Sequence, residues 1–150
     1  MQRLLMATIY PYVLIVHLFC AVIFLGYLFF DVVILPNVKR IYGEEIANKA
    51  EEGIGQRAVK IMPICVLLLL ITGGMMVGQY IGGDKGYFET PFQKVLMLKL
   101  LFAGGIFAMV AIALTCKFLN KKNPIGGIIH PTALILGALI IVCAKYMWYA

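Results

Sequence analysis

A chain of 150 residues is long enough for one domain at most. Its composition, 63% hydrophobic and 13% charged with a mean hydropathy of +0.96, excludes a disordered tail and a nucleic-acid-binding protein and predicts a protein that lies in lipid. The net charge of +6 is then attributed to the lysines and arginines that set the orientation of a membrane protein. Four scattered cysteines without a CxxC pattern exclude a secreted disulfide scaffold.

Four apolar runs are each long enough to cross a bilayer, because about 20 residues at a rise of about 1.5 Å span a hydrocarbon core of roughly 30 Å. They predict transmembrane helices over residues 9–35, 59–82, 92–117 and 131–149. Pro11, Pro91 and Pro131 suit first helical turns, where a missing amide donor is tolerated. Pro36 suits the end of the first helix. The predicted fold is all-α, an integral membrane four-helix bundle that forms a single transmembrane domain over residues 1–150.

The loop between the first two predicted helices, residues 37–60, contains helix-favouring features. Glu45 and Lys49 have the i,i+4 spacing that stabilises a helix, so helical structure is expected to continue beyond the membrane. Gly53 and Gly55 are expected to supply a turn within the loop.

Lysine and arginine are distributed unequally between the two sides of the predicted bundle. The first and third loops hold Lys39, Arg40, Lys49, Arg57, Lys60, Lys117, Lys121 and Lys122, and the opposite side holds Arg3, Lys85, Lys94 and Lys145. Because loops that stay in the cytoplasm carry an excess of Lys and Arg, we expect both termini outside and the first and third loops in the cytoplasm.

His17 and Lys99 are expected at nearly the same depth. His17 lies roughly 10 Å below the outer interface at the helical rise, and Lys99 is about seven residues into a helix that starts at that face. Ionisable groups inside lipid are costly and usually face a bundle interior, a partner or a functional pathway. Both residues are therefore cofactor-binding candidates, although a structural hydrogen bond would also satisfy His17 and Lys99 could snorkel to the outer interface.

A soft-metal site is the main interpretation of the residues around His17. Cys20 follows on the same helical stripe, which is expected to face inward. At that level the stripe can meet Met75 or Met76 near the end of helix two and Cys143 near the end of helix four. Imidazole, thiol and thioether together suit copper(I), so these five residues are the predicted metal ligands. Met and Cys are also ordinary packing residues, which is the alternative interpretation.

Three other residues with ligating side chains are not expected to join this outer cluster. His130 precedes Pro131 and should lie near the inner interface, on the order of 15 Å from the level of His17, which argues against a haem held by both histidines. Met62 and Cys65 share a helical face, but they are also expected near the inner end. Gly73 is expected to leave space beside the outer cluster.

Several segments carry a family resemblance. They are His17-Leu-Phe-Cys-Ala-Val-Ile-Phe24-Leu25-Gly26 with Leu35-Pro36 and Lys39-Arg40, then Leu70-Ile-Thr-Gly73, Val95-Leu-Met-Leu-Lys99-Leu and Asn120-Lys-Lys122. With them the chain resembles the copper resistance protein D family and the related bacterial protoporphyrinogen oxidase family HemJ. HemJ proteins typically have tryptophan where Phe24 stands and arginine where Asn37 stands, so the copper-resistance branch is the closer resemblance.

The resemblance implies a multi-pass protein of the bacterial inner membrane, with its termini on the periplasmic side. Its implied function is copper handling at a His-centred site in the outer half of the bundle, with a copper ion and no predicted catalytic residue. The alternatives are a haem b redox protein, in which His17 is an axial ligand and Lys99 supports the haem, and an accessory membrane subunit. Expected partners are the bilayer and either a second copy or another membrane or periplasmic protein, and no nucleic acid.

Overall fold

The structure is a computed structural model that describes residues 2–150. Its regular elements within that range are all helical: α1 (Gln2–Phe29), a π-helical turn (Phe30–Ile34), α2 (Pro36–Tyr42), α3 (Glu44–Val77), a 3-10 turn (Gly83–Lys85), α4 (Pro91–Phe118) and α5 (Ile129–Tyr146). The all-α prediction is confirmed.

Four of these helical segments are long and apolar enough to cross a membrane. They are Leu4–Tyr42, Glu44–Val77, Pro91–Phe118 and Ile129–Tyr146. Large apolar side chains cover their outward faces, with Phe118 84% exposed and Leu101 69% exposed within the chain. A soluble monomer rarely exposes apolar surface on this scale, whereas lipid tails solvate it without cost. The predicted number of membrane-compatible helices is confirmed.

The second of these helices begins much earlier than the predicted boundary at residue 59. α3 starts at Glu44, whose acidic side chain and that of Glu45 lie in the first turn, where they suit the helix dipole. The expected contact between Glu45 and Lys49 forms at 2.8 Å. The turn predicted at Gly53 and Gly55 is wrong, because both glycines continue the α-helix. A glycine inside a helix lowers its stability but does not end it.

The prolines agree with the predicted boundaries in most cases. Pro91 is the first residue of α4, Pro131 lies in the first turn of α5, and the α-helical run is interrupted immediately before Pro36. Pro11 is different, since α1 begins nine residues earlier at Gln2 and contains it. The expectation that Pro11 occupies a first turn is therefore wrong.

The first of two compact units extends to Tyr80. Within it α1 and α2 both pack against α3, and Lys39 of α2 pairs with Glu44 at the start of α3. The two long helices are antiparallel, because Tyr10 contacts Tyr80 whereas His17 contacts Thr72. Small or medium side chains such as Ala58 and Cys65 are buried on α3, and side chains of this size let helix backbones come close.

The second compact unit covers Ile81–Ala150 and consists mainly of the antiparallel α4–α5 hairpin. At one end the rings of Phe92 and Trp148 meet edge to face with centroids 5.2 Å apart. Gln93 is 4% exposed and forms a capping box with Thr90, which fixes the start of α4.

Candidate functional site

His17 is held by a side chain from the opposite helix. Its Nδ1 lies 2.8 Å from the Oγ1 of Thr72, and this hydroxyl lies 2.6 Å from the backbone carbonyl of Leu68, one turn earlier on α3. Thr72 is buried and His17 is half-buried. The imidazole is thus fixed in the middle of the interface between α1 and α3, where the sequence predicted a polar group that faces inward.

The hydrogen-bond chain also selects the tautomer of His17. A threonine hydroxyl has one proton, and the short contact to the Leu68 carbonyl requires that proton because a carbonyl can only accept. Thr72 Oγ1 therefore accepts a hydrogen bond from His17, whose Nδ1 carries the imidazole proton. In this tautomer the lone pair lies on Nε2, the nitrogen with which an imidazole of this kind binds a metal.

Gly73 lies directly against the imidazole. A Cβ atom at this position would be 3.3 Å from His17 Cε1 and 3.8 Å from Nδ1, so the ring occupies the space that a side chain would need. The expectation that Gly73 leaves space beside His17 is confirmed. The neighbouring Gly74 has no such role within the described residues, because a Cβ atom there would meet nothing within 4 Å.

Cys20 and Cys65 form a pair of thiols one turn further into the same interface. Both are free cysteines, they are 5% and 6% exposed, and their thiols are close enough to interact directly. The expectation that Cys65 stays away from the outer residues is wrong. Along the antiparallel helices the step from His17 to Cys20 is three residues on α1, whereas the step back from Thr72 to Cys65 is seven residues on α3, so Cys65 lies about one helical turn beyond the level of Cys20.

The two predicted methionine ligands lie toward the other end of this interface. Met75 and Met76 line a cleft together with Met6, Tyr10, Val13 and Gln79. Near this cleft the hydroxyls of Tyr10 and Tyr80 are 3.2 Å apart. Met75 and Met76 follow Thr72 by about one helical turn, so thioether, imidazole and thiol groups succeed one another along α1 and α3. We call this row the sulfur–imidazole interface.

Lys99 and Cys143, the remaining predicted ligands, belong to the second unit. Lys99 is half-buried on α4 and Cys143 is 8% exposed on α5, and the two side chains are electrostatic neighbours within the hairpin. His130 also lies in this unit, as the second residue of α5. Among residues 2–150 no three His, Cys, Asp or Glu side chains converge on one point in a metal-binding arrangement.

Two residues of the sulfur–imidazole interface were missed by the sequence analysis, namely Thr72 and Cys65. A signal for both was present, because Cys65, Thr72 and Gln79 are spaced by seven residues and therefore share one face of α3. Comparison with protein-family models, with curated proteins and with solved structures found no match to this chain. The functional argument therefore depends on the interface itself.

Proposed function

We propose that this chain is a multi-pass protein of the bacterial inner membrane that handles copper(I), with His17 as a ligand in the first helical unit. The observation that carries the proposal is the hydrogen-bond chain from His17 through Thr72 to the Leu68 carbonyl. Metal-binding histidines commonly donate their second ring N–H to an oxygen, which fixes the ring and its tautomer. Thr72 supplies such an oxygen from the facing helix.

The choice of copper(I) follows from the neighbours of His17. Cys20 lies one turn away on α1, and Met75 and Met76 lie about one turn beyond Thr72 on α3. Thiolate and thioether ligands select soft ions such as copper(I), whereas magnesium and calcium prefer carboxylate and carbonyl oxygens. The resemblance of the segment around His17 to the copper resistance protein D family points in the same direction.

The proposed topology has both termini in the periplasm. It is supported by the excess of Lys and Arg in residues 37–60 and 117–130, which would face the cytoplasm. The methionine end of the sulfur–imidazole interface would then lie toward the periplasmic half of the membrane. Reporter fusions at both chain ends and within residues 117–130 test this arrangement, and a cytoplasmic location of the chain ends would contradict it.

The decisive experiment is a copper(I) titration of the reduced protein in mild detergent, in competition with a chromophoric copper(I) chelator. His17→Ala is expected to weaken binding by at least about 100-fold, since even outer-sphere partners of a metal ligand contribute about 10–100-fold. His130→Ala is the matched control, because it removes the other histidine and should bind copper as the wild type does. Equal affinity of His17→Ala and the wild type would overturn the proposal.

Haem b binding is a second candidate, because an axial histidine needs the same orientation that Thr72 gives to His17. Visible spectra of the oxidised and the dithionite-reduced protein separate the two candidates. A Soret band that is lost in His17→Ala would replace copper handling by haem binding, with Lys99 as the next residue to test. A protein that takes up neither copper nor haem would support an accessory role in a membrane complex.

A further inference from the structure

We infer that residues 117–122, at the end of α4, form a binding surface for the head groups of anionic phospholipids. We call this segment the lysine turn. The inference rests on the proposed membrane location and goes beyond the proposed copper function, because it assigns a lipid partner to the second helical unit.

The distribution of charge along the chain is the first support. Residues 1–89 hold seven Lys or Arg and seven Asp or Glu, whereas residues 90–150 hold six Lys and no Asp or Glu. The net charge of +6 is therefore carried by residues 90–150. Three of these six lysines, Lys117, Lys121 and Lys122, lie in the lysine turn, where they are exposed and form no ion pair with a described residue. Their counter-charge has to come from outside the chain.

The length of α4 places these lysines at the level of lipid head groups. The helix has 28 residues and is therefore about 42 Å long at the helical rise. A bilayer is about 40–45 Å thick when its head-group regions are included. A helix of this length that crosses the bilayer extends from one head-group region to the other, and the lysine turn lies where α4 ends.

Two large apolar side chains within the lysine turn indicate contact with lipid. Phe118 is 84% exposed and Leu119 is 59% exposed within the chain. At a membrane interface such side chains enter the acyl region, while the apolar stems of neighbouring lysines let their ammonium groups reach the phosphates. An anionic head group and its acyl chains therefore match both kinds of side chain in this segment.

The backbone holds the lysines close together. Asn120 has a positive φ of 51°, the amide of Lys121 donates to the Cys116 carbonyl at 2.8 Å, and the amide of Asn120 donates to the Lys117 carbonyl at 3.2 Å. These bonds form a Schellman motif, in which the residue at the position of Lys121 is frequently apolar and packs onto the helix. Here that residue is an exposed lysine, so the motif presents a second cation within about one turn of Lys117.

Tryptophan fluorescence in lipid vesicles tests the inference, because Trp148 is the only tryptophan. Phe118→Trp combined with Trp148→Phe moves this fluorophore to the lysine turn. Quenching by brominated phosphatidylglycerol and by brominated phosphatidylcholine, each in phosphatidylcholine vesicles, gives the relative affinity of the two lipids beside the tryptophan. We expect a preference of about fivefold or more for phosphatidylglycerol, since one lysine near an anionic surface contributes about fivefold.

The wild type is the first control, because its Trp148 packs against Phe92 near the start of α4, at the other end of that helix. The lysines in the loop at that end are accompanied by Asp84 and Glu89, so a preference closer to one is expected there. A preference at the lysine turn no greater than at Trp148 would overturn the inference.

Charge-matched variants separate the lysine turn from the net charge of the protein. In the protein with tryptophan at position 118, replacement of the three lysines of the turn by Gln is expected to reduce the preference to about one. Lys49→Gln, Arg57→Gln and Lys60→Gln together remove the same charge from exposed positions of α3 and should leave the preference unchanged. Equal loss in both variants would overturn the inference.

The copper(I) titration distinguishes this inference from the proposed function. The variant without the three lysines should bind copper(I) as the wild type does, because His17 and Thr72 belong to the first unit. A protein that inserts into vesicles without a lipid preference would overturn the lipid surface alone. A protein that does not insert into vesicles would overturn both the lipid surface and the proposed membrane location.

Discussion

The two helical units differ in the polar and sulfur-containing side chains that accompany their apolar cores. In the first unit three contacts are polar or involve sulfur, besides buried apolar side chains such as Phe24 and Val66: Tyr10 with Tyr80, His17 with Thr72 and Cys20 with Cys65. Between α4 and α5 the contacts include apolar ones, such as Gly105 against Leu136 and Phe92 against Trp148. The buried Gln93 lies at the end of α4, where it caps the helix.

This difference is the reason for placing the proposed binding site in the first unit. Polar side chains in the membrane are costly, and they are found where they pair with one another or serve a pathway. In the first unit His17, Cys20 and Thr72 lie inside the helices rather than at their ends. Lys99 and Cys143 are the neighbouring ionisable pair of the second unit, one cation and one thiol, with no neighbouring imidazole or thioether shown beside them among the described residues.

The largest expected effect on stability is at the helix cap of the second unit. The Gln93 side chain accepts hydrogen bonds from the amides of Glu89 and Thr90 and donates one at 2.8 Å to the carbonyl of Lys85. Gln93→Ala leaves these groups without that partner and should lower the free energy of unfolding by roughly 2–4 kcal/mol. Unfolding followed by circular dichroism in detergent measures this, with Gln56→Ala on the exposed side of α3 as the control.

Gln93→Ala also tests the division between the units. If copper binding belongs to the first unit, the folded variant should keep the copper(I) affinity of the wild type. Equal stability of Gln93→Ala and Gln56→Ala would show that the cap contributes little to the free energy of unfolding. Loss of copper binding in folded Gln93→Ala would refute the assignment of the site to α1 and α3.

The next largest effect is expected when Thr72 loses its hydroxyl. Thr72→Val keeps the shape of the side chain but removes the acceptor for His17 Nδ1, so copper(I) affinity should fall about 10–100-fold, or about 1.4–2.7 kcal/mol. Thr115→Val is the matched control, because Thr115 makes the same type of hydrogen bond to the carbonyl four residues earlier but is exposed. Thr72→Ser should retain binding, and full affinity in Thr72→Val would contradict the positioning role.

A smaller effect is expected from added volume beside His17. Gly73→Ala places a methyl group 3.3 Å from His17 Cε1, so the ring must move by a few tenths of an ångström. The bond to Thr72 lengthens, and copper(I) affinity should fall about fivefold, or about 1 kcal/mol. Gly74→Ala adds the same methyl group where nothing lies within 4 Å and should leave the titration curve unchanged. Identical curves for the two variants would mean that the imidazole is not constrained by Gly73.

Much of the fold could be predicted from the sequence because membrane helices are long and apolar. The length of the four runs predicted the helices, and Pro91 marked the start of α4 to within one residue of the boundary expected there. The start of α3 was not predicted, because Gly53 and Gly55 were interpreted as a turn. In the structure the helix continues through both glycines from the Glu45–Lys49 pair.

The site was predictable only in part, because depth alone does not give the register of two helices. His17 was correctly predicted to be a polar residue that faces inward. Its partner Thr72 was not predicted, because the hydroxyl of a threonine in a membrane helix usually donates its hydrogen bond to a backbone carbonyl of the same helix. Thr72 does so at Leu68 and also contacts His17. Cys65 was placed near the inner end because helix two was expected to begin at residue 59, whereas it lies well inside α3, opposite Cys20.

The smallest effect is expected at the tyrosine pair near the cleft. Tyr10→Phe keeps the ring but removes the 3.2 Å contact with the Tyr80 hydroxyl, and hydrogen bonds between membrane helices contribute about 0.6 kcal/mol on average. Tyr12→Phe, at a tyrosine 69% exposed on the same helix, controls for the loss of a hydroxyl. Denaturation in mixed micelles should show the difference between the two variants, with copper(I) affinity unchanged in both. If Tyr10→Phe instead weakened copper binding as strongly as Thr72→Val, the proposed site would extend to the tyrosine pair, and Met75 and Met76 beside it would become the next candidate ligands to test.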